Sequence, residues 1–238
     1  MPITRLFASR RPSGVWLWTA VAISLFISLT GWAPFLLYPF KLFTTWVHEC
    51  GHALMTVIVG GQVTSIRIQP DTSGTTQSLL PMGRLARGLV ASSGYLGAAI
   101  VGCLLMIAAR VDRRAHQILV SLGAVMLATL LFWIRNPFGF GAVLAWGVAL
   151  IALASRSRGN APRLLLSLLA VQVGLNSVYD IRVLFLIDRG DSDAATMARL
   201  FLVPSWAWAT AWMAISVAML AGTLWKTRRR GRTGAIWT

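Results

Sequence analysis

The hydrophobic positions of this chain fall into long continuous runs rather than into the short periodic patterns of a soluble domain. Most runs contain about 20 residues, the length that an α-helix needs to cross the hydrocarbon core of a bilayer. The pattern predicts an all-α polytopic membrane bundle of about six or seven transmembrane helices. Seven runs can be drawn, over residues 15–37, 39–60, 84–109, 116–134, 138–155, 163–187 and 203–225.

Residues 61–80 interrupt this pattern. They contain the β-formers Val63, Ile66 and Ile68, many threonines and serines, and the turn signal PDTSG at 70–74. We therefore expect a small β-hairpin between helices two and three. Because the open edge of a hairpin can accept an extended peptide, Ile66 and Ile68 are candidate substrate-binding residues. An ordinary connector outside the membrane is the alternative.

Composition agrees with a membrane protein. Hydrophobic residues make up 56% of the chain and charged residues 12%, against about a quarter charged in soluble domains. The 238 residues suit a single membrane-embedded domain over 1–238, with basic tails at 1–14 and 226–238.

The net charge of +15 is carried by Arg and Lys clusters at the ends of the apolar runs. This placement is typical of loops at an anionic membrane surface, and no basic stripe alternates with aromatics as nucleic-acid binding requires. The positive-inside rule predicts a cytoplasmic C-terminal tail. Seven full crossings would place the arginines of the N-terminal tail outside, so the orientation and the number of crossings stay open.

Two of the three histidines flank a glutamate in the sequence HECGH. Residues i and i+4 lie on one face of a helix, so His48 and His52 can reach one ion, and Zn²⁺ binds imidazole nitrogens at about 2.0–2.1 Å. Glu49 is placed to act as the general base on water at the metal. A chance HExxH on a polar helix face is the alternative, which the apolar setting disfavours because ionisable groups are costly there.

Catalytic zinc keeps three protein ligands and one open position. Among the aspartates, only Asp180 lies in a run that reads as a membrane helix, so Asp180 is the predicted third ligand. Asp193, in the loop before the last helix, is the competing candidate for the third ligand. The alternative without a metal-binding role is that Asp180 pairs with Arg182 near a helix end. Asn176, one turn before Asp180, is a candidate for binding a substrate carbonyl or the oxyanion, or for a hydrogen bond between helices.

These features resemble the site-2 protease family of intramembrane zinc metallopeptidases, in its compact bacterial branch without a PDZ domain. The resemblance implies a zinc site of two histidines and a distant aspartate, a glutamate base, and a membrane-embedded hairpin that presents substrate. It carries these roles to His48, His52, Asp180 and Glu49. The family pattern N-x-x-P-x-x-x-L-D-G is not reproduced around Asp180. The matching segments are HECGHA at 48–53, Gly60–Gly61, Pro70–Asp71, Ser73–Gly74, Ser93–Gly97, Asn176 to Asp180, and Ser192–Ala194.

The sequence thus predicts an intramembrane zinc metalloprotease that cleaves membrane-embedded or membrane-associated protein substrates, as in regulated intramembrane proteolysis, in a bacterial cell membrane. Two other classes remain open. One is a non-catalytic membrane scaffold, or pseudoprotease, against which the retained Glu49 argues. The other is a small metal or solute transporter, which often shows paired inverted segments, and the chain has no second copy of the motif. The oligomeric state is not predicted.

Overall fold

The computed structural model describes residues 15–80, 83–110, 114–157, 159–186 and 192–233, without the side chains of 182–186 and 227–233. Within these residues the predicted all-α bundle with a small hairpin is confirmed. The elements, in chain order, are α1 (Val15–Ser28), α2 (Ala33–Ile58), β1 (Gln62–Ile68), β2 (Gly74–Leu79), α3 (Arg84–Ala108), α4 (Ala115–Phe132), α5 (Pro137–Arg156), α6 (Ala161–Leu186), α7 (Asp193–Phe201) and α8 (Ser205–Thr233).

Five of the described helices, α3, α4, α5, α6 and α8, are long and apolar enough to cross a membrane. The first predicted run, 15–37, contains α1, which ends at Ser28, and the beginning of α2, which starts at Ala33 with a proline in its first turn. With 14 residues, α1 spans about 21 Å at 1.5 Å per residue, less than the roughly 30 Å of hydrocarbon. The nine-residue helix α7 was not predicted, and α8 continues into the predicted basic tail as far as Thr233.

Glycines allow three helix pairs to pack with their backbones in close approach. A Cβ at Gly102 of α3 would lie 3.1 Å from the backbone nitrogen of Gly174 on α6. Gly123 of α4 faces the carbonyl of Gly147 on α5 in the same way, and Gly51 of α2 faces the backbone of α3. Small residues at helix interfaces are typical of membrane bundles, where association depends on close van der Waals contact.

The two strands form an antiparallel sheet between α2 and α3. Ile66 lies opposite Thr76, and Ile68 lies opposite Gly74. The side chains of Ile66 and Ile68 are buried, with 0% and 1% exposed. The predicted hairpin is therefore present, and its β1 strand contributes to the hydrophobic core.

The outer edge of β1 is covered by the segment that connects α4 to α5. The Ile66 N–H donates to the Trp133 carbonyl at 2.7 Å, and the Arg135 N–H donates to the Ile66 carbonyl at 3.1 Å. The Asn136 side chain accepts from the Ile68 N–H at 3.1 Å and donates to the Ile68 carbonyl at 2.7 Å. Residues 133–136 thus occupy the backbone groups on which a peptide would have to pair.

These contacts also identify the open edge. The backbone groups of Ile66 and Ile68 point away from β2, so these residues form non-hydrogen-bonded pairs with Thr76 and Gly74. In such pairs the N–H and C=O groups of the partner residues also point outward, here on the β2 side of the hairpin. Among the described residues, no strand pairs with that side. The structure therefore places Ile66 and Ile68 away from the open edge, which belongs to β2.

We predict that the α3–α6 contact at Gly102 contributes to stability. Gly102→Leu forces a side chain against the α6 backbone and should destabilise the protein by about 1–3 kcal/mol. Gly141→Leu is the matched control, because nothing lies within 4 Å of a Cβ at Gly141. The measurement is the unfolding temperature of the detergent-solubilised chain. An equal decrease in both variants would show that this close approach has no special role.

Candidate metal centre

Helix α2 presents two imidazole rings side by side. The Nε2 atoms of His48 and His52 lie 3.0 Å apart. Nδ1 of His52 lies 2.7 Å from the Val90 carbonyl of α3. Since a carbonyl only accepts, Nδ1 carries the proton, and Nε2 is the nitrogen that the neutral ring can offer to a metal. A backbone carbonyl that fixes the tautomer in this way is typical of metal-binding histidines.

Asp193 completes the group from the other side. Its Oδ2 lies 3.4 Å from Nε2 of His48 and 3.3 Å from Nε2 of His52. Asp193 is the first residue of α7, and the Ser192 hydroxyl caps the helix by accepting from the Ala195 N–H. Burial alone would raise the pKa of the Asp193 carboxyl, but the neighbouring His52 and His48 outweigh it and hold that pKa below its ordinary value.

Short helix α7 is held in place by packing on α3 and α8. Its Met197 joins a cluster with Tyr95 of α3 and Trp212 of α8. Phe201 at its end lies over Gly88, where a side chain would collide with the ring. The position of Asp193 thus follows from a small apolar interface rather than from a membrane-spanning helix.

The three donor atoms fit zinc. A tetrahedral ion with bonds of about 2.0–2.1 Å spaces its ligands about 3.3–3.4 Å apart, close to the separations found here. Two imidazoles and one carboxylate are a donor set of catalytic zinc, which keeps one further coordination position for water or substrate. In the part of the chain that the structure describes, this is the one group of three such side chains close enough to hold a metal ion.

Helix α3 forms a wall beside the two rings. Gly94 lies against both of them, and a side chain there would collide with the His48 and His52 nitrogens. The next residue, Tyr95, contacts His48 edge to face at 4.6 Å between ring centroids and stacks on Trp212 at 5.3 Å. The small and aromatic residues of the Ser93–Gly97 segment therefore shape the site.

Glu49 lies beside this group rather than in it. Its side chain is buried, with 4% exposed. The Thr76 hydroxyl of β2 donates to Glu49 Oε2 at 2.7 Å, and Gly74 packs against the same carboxylate. The carboxylate is thus held between α2 and the hairpin, where a base that does not bind the metal is expected.

The structure brings Asp193, rather than the predicted Asp180, into a group with the two histidines. Asp180 is half-buried on α6 and interacts electrostatically with His48 and Lys41, but it does not join the histidines. Asn176 is buried and donates to the Thr44 hydroxyl of α2 at 3.4 Å, which is the predicted alternative of a hydrogen bond between helices. Asp193 takes the position beside the rings because α7 packs on α3 and α8. The side chain of Arg182 lies outside the described residues.

A family model described as Peptidase M50B-like matches residues 12–223, which is most of the chain and includes all of these side chains. The chain belongs to the Peptidase M50B-like family. This confirms the resemblance to the site-2 protease family. As an M50B-like protein, the chain is a member of a family of metallopeptidases, and its apolar helices fit an integral membrane protein. Neither a curated protein nor a solved structure matches the chain.

A pair of conservative substitutions separates the two aspartates. In this M50B-like protein, Asp193→Asn removes a charged donor beside both histidines, and bound zinc should fall from about one ion per chain to near zero after dialysis against a chelator. Asp180→Asn is the matched control and should retain the ion. Zinc per chain is measured by mass spectrometry of the purified protein. The reverse result would restore Asp180 as the ligand.

Proposed function

We propose that this M50B-like protein is a zinc-dependent endopeptidase that cleaves membrane-embedded or membrane-associated protein substrates within the bilayer. The observation that carries the proposal is the group formed by His48, His52 and Asp193, with the buried carboxylate of Glu49 beside it. A general base next to three metal donors is the arrangement of zinc peptidases. A structural zinc site would instead be closed by four protein ligands.

Each side chain has a distinct role in this proposal. His48, His52 and Asp193 hold the zinc, which when bound lowers the pKa of water and polarises the substrate carbonyl. Glu49 accepts a proton from the attacking water and then donates it to the leaving amine. Because Glu49 is buried and already bonded to Thr76, it needs little rearrangement to act.

The open edge of β2 is the proposed place for the substrate backbone. The outward groups of Gly74 and Thr76 can pair with an extended peptide, and the same two residues contact Glu49. A peptide on this edge would therefore lie close to the base. The substrate helix has to unwind there, because a helical backbone is already paired with itself.

The surroundings of the site fit hydrolysis within the membrane. The histidines lie on α2, which packs against the apolar helices α3 and α6. We propose a bacterial cell membrane as the location, with the basic C-terminal tail in the cytoplasm, because Lys226 and the arginines that follow it end α8.

Glu49→Gln tests the chemical role of the base. The amide retains the size of the side chain but cannot accept a proton, so cleavage should fall by about 10²–10⁴-fold, as expected for loss of a general base. Zinc content should stay near that of the wild type, because Glu49 is not a ligand in this proposal. Cleavage is measured by comparing membrane proteins from cells that express either form. Unchanged cleavage products would reject the proposal, and absence of cleavage by the wild type would favour a scaffold.

Photocrosslinking tests which edge binds substrate. Thr75 and Arg67 are exposed and lie opposite each other, on β2 and β1. A benzoylphenylalanine at Thr75, in the Glu49→Gln background, should crosslink to substrate. The same group at Arg67 should not, because residues 133–136 cover the β1 edge. Crosslinked membrane proteins are identified by mass spectrometry. Stronger crosslinking from position 67 than from position 75 would place the substrate at β1 and contradict the proposal.

A further inference from the structure

One face of α2 forms hydrogen bonds with the hairpin along most of the helix, from Tyr38 to Thr56. Four side chains on this face, spaced seven, four and seven residues apart, lie in one line because each residue turns the helix by about 100°. Their partners follow the hairpin from its turn to the end of β2. The contacts are Tyr38 to the Pro70 carbonyl at 2.7 Å, Thr45 to the Thr72 carbonyl at 2.7 Å, Glu49 with Thr76 at 2.7 Å, and Thr56 with Ser78 at 3.0 Å.

The bond between Thr76 and Glu49 differs from the other three because it is made to a carboxylate. The Thr76 Oγ1 lies 2.7 Å from Glu49 Oε2 and 3.1 Å from the Glu49 carbonyl oxygen. A hydroxyl has one proton, and a carboxylate is the stronger acceptor. The proton of Thr76 therefore goes to Oε2.

The rest of the carboxylate is confined by Gly74. A Cβ at this position would collide with Oε1 and Cγ of Glu49 and with Thr45. Glycine at the start of β2 thus allows the strand to approach the carboxylate closely. With 4% of the residue exposed, Glu49 has little space for another rotamer.

We infer that Thr76 is a positioning residue for Glu49. Its hydroxyl holds Oε2 and thereby fixes the orientation of the carboxylate beside the metal donors. This inference rests on the proposed function, in which Glu49 is the general base. Removal of a hydrogen-bonding partner that orients a catalytic group typically costs about 10- to 100-fold in activity.

The sequence offers a direct spectroscopic test, because Glu49 is the single glutamate of the chain. Cell-free synthesis with glutamate labelled by ¹³C at the side-chain carboxyl gives one carboxylate signal, which is recorded in lipid nanodiscs with and without zinc. Thr76→Val, which is close in shape and a good strand former, should shift this signal. Thr76→Ser should leave it near the wild-type position.

Thr64→Val is the matched control. The Thr64 hydroxyl also bonds within the hairpin, to the Gln77 carbonyl at 2.9 Å, but it does not contact Glu49. This variant should leave the carboxylate signal unchanged. An unchanged signal in Thr76→Val, or an equal shift in Thr64→Val, would overturn the inference without any reference to activity.

Kinetics give the second readout. Thr76→Val should lower kcat by about 10- to 100-fold with little change in KM or zinc content, because the strand backbone and the metal donors are unaltered. Thr76→Ser should recover most of the activity, and Thr64→Val should retain it. A loss that appears in KM, or a loss that serine does not rescue, would indicate a structural role and overturn the inference.

The two levels of the proposal fail in different ways. If Glu49→Gln is inactive and Thr76→Val has the wild-type kcat, Glu49 remains the proposed general base and only the positioning role of Thr76 is rejected. If Glu49→Gln cleaves normally, the proposed function itself is rejected, whatever the signal of Thr76→Val shows.

Discussion

The structure depends on one constraint, which is that helix α2 carries three ionisable side chains, His48, Glu49 and His52, inside an apolar bundle. An ionisable group without a partner is costly in such surroundings. Each of the three has a partner from a different element. His52 bonds to the Val90 carbonyl of α3, both histidines face Asp193 of α7, and Glu49 accepts from Thr76 of β2. The folding of α3, α7 and the hairpin around α2 therefore has a common electrostatic reason.

Glycine makes these approaches possible on two sides. Gly94 leaves space for the histidine rings beneath α3, and Gly74 allows β2 to reach Glu49. Residues 133–136 pair with β1 on its outer side, and within the described ranges no strand pairs with the outer side of β2. One strand of the hairpin thus belongs to the core, and the other contacts Glu49.

The sequence predicted the parts of this site that are local and not the parts that depend on long-range folding. The spacing of HECGH placed two histidines on one helix face, and turn residues predicted the hairpin. Long apolar runs place Asp193 in a loop, because a nine-residue helix is too short to form such a run, although Ser192 before it is a recognisable N-cap residue. The incomplete family pattern around Asp180 was a second signal. The β1 edge at Ile66 is covered by residues about 70 positions later in the chain, and no local sequence pattern predicts such a contact.

The most direct test of the account is the location of zinc in crystals of the full chain, from anomalous diffraction measured on both sides of the zinc absorption edge. The account predicts a single peak within about 2.0–2.2 Å of Nε2 of His48, Nε2 of His52 and an oxygen of Asp193. Glu49 should lie outside bonding distance, with its Oε2 still on the Thr76 hydroxyl. A peak bound by Asp180, or no peak at the histidines in zinc-replete crystals, would contradict it.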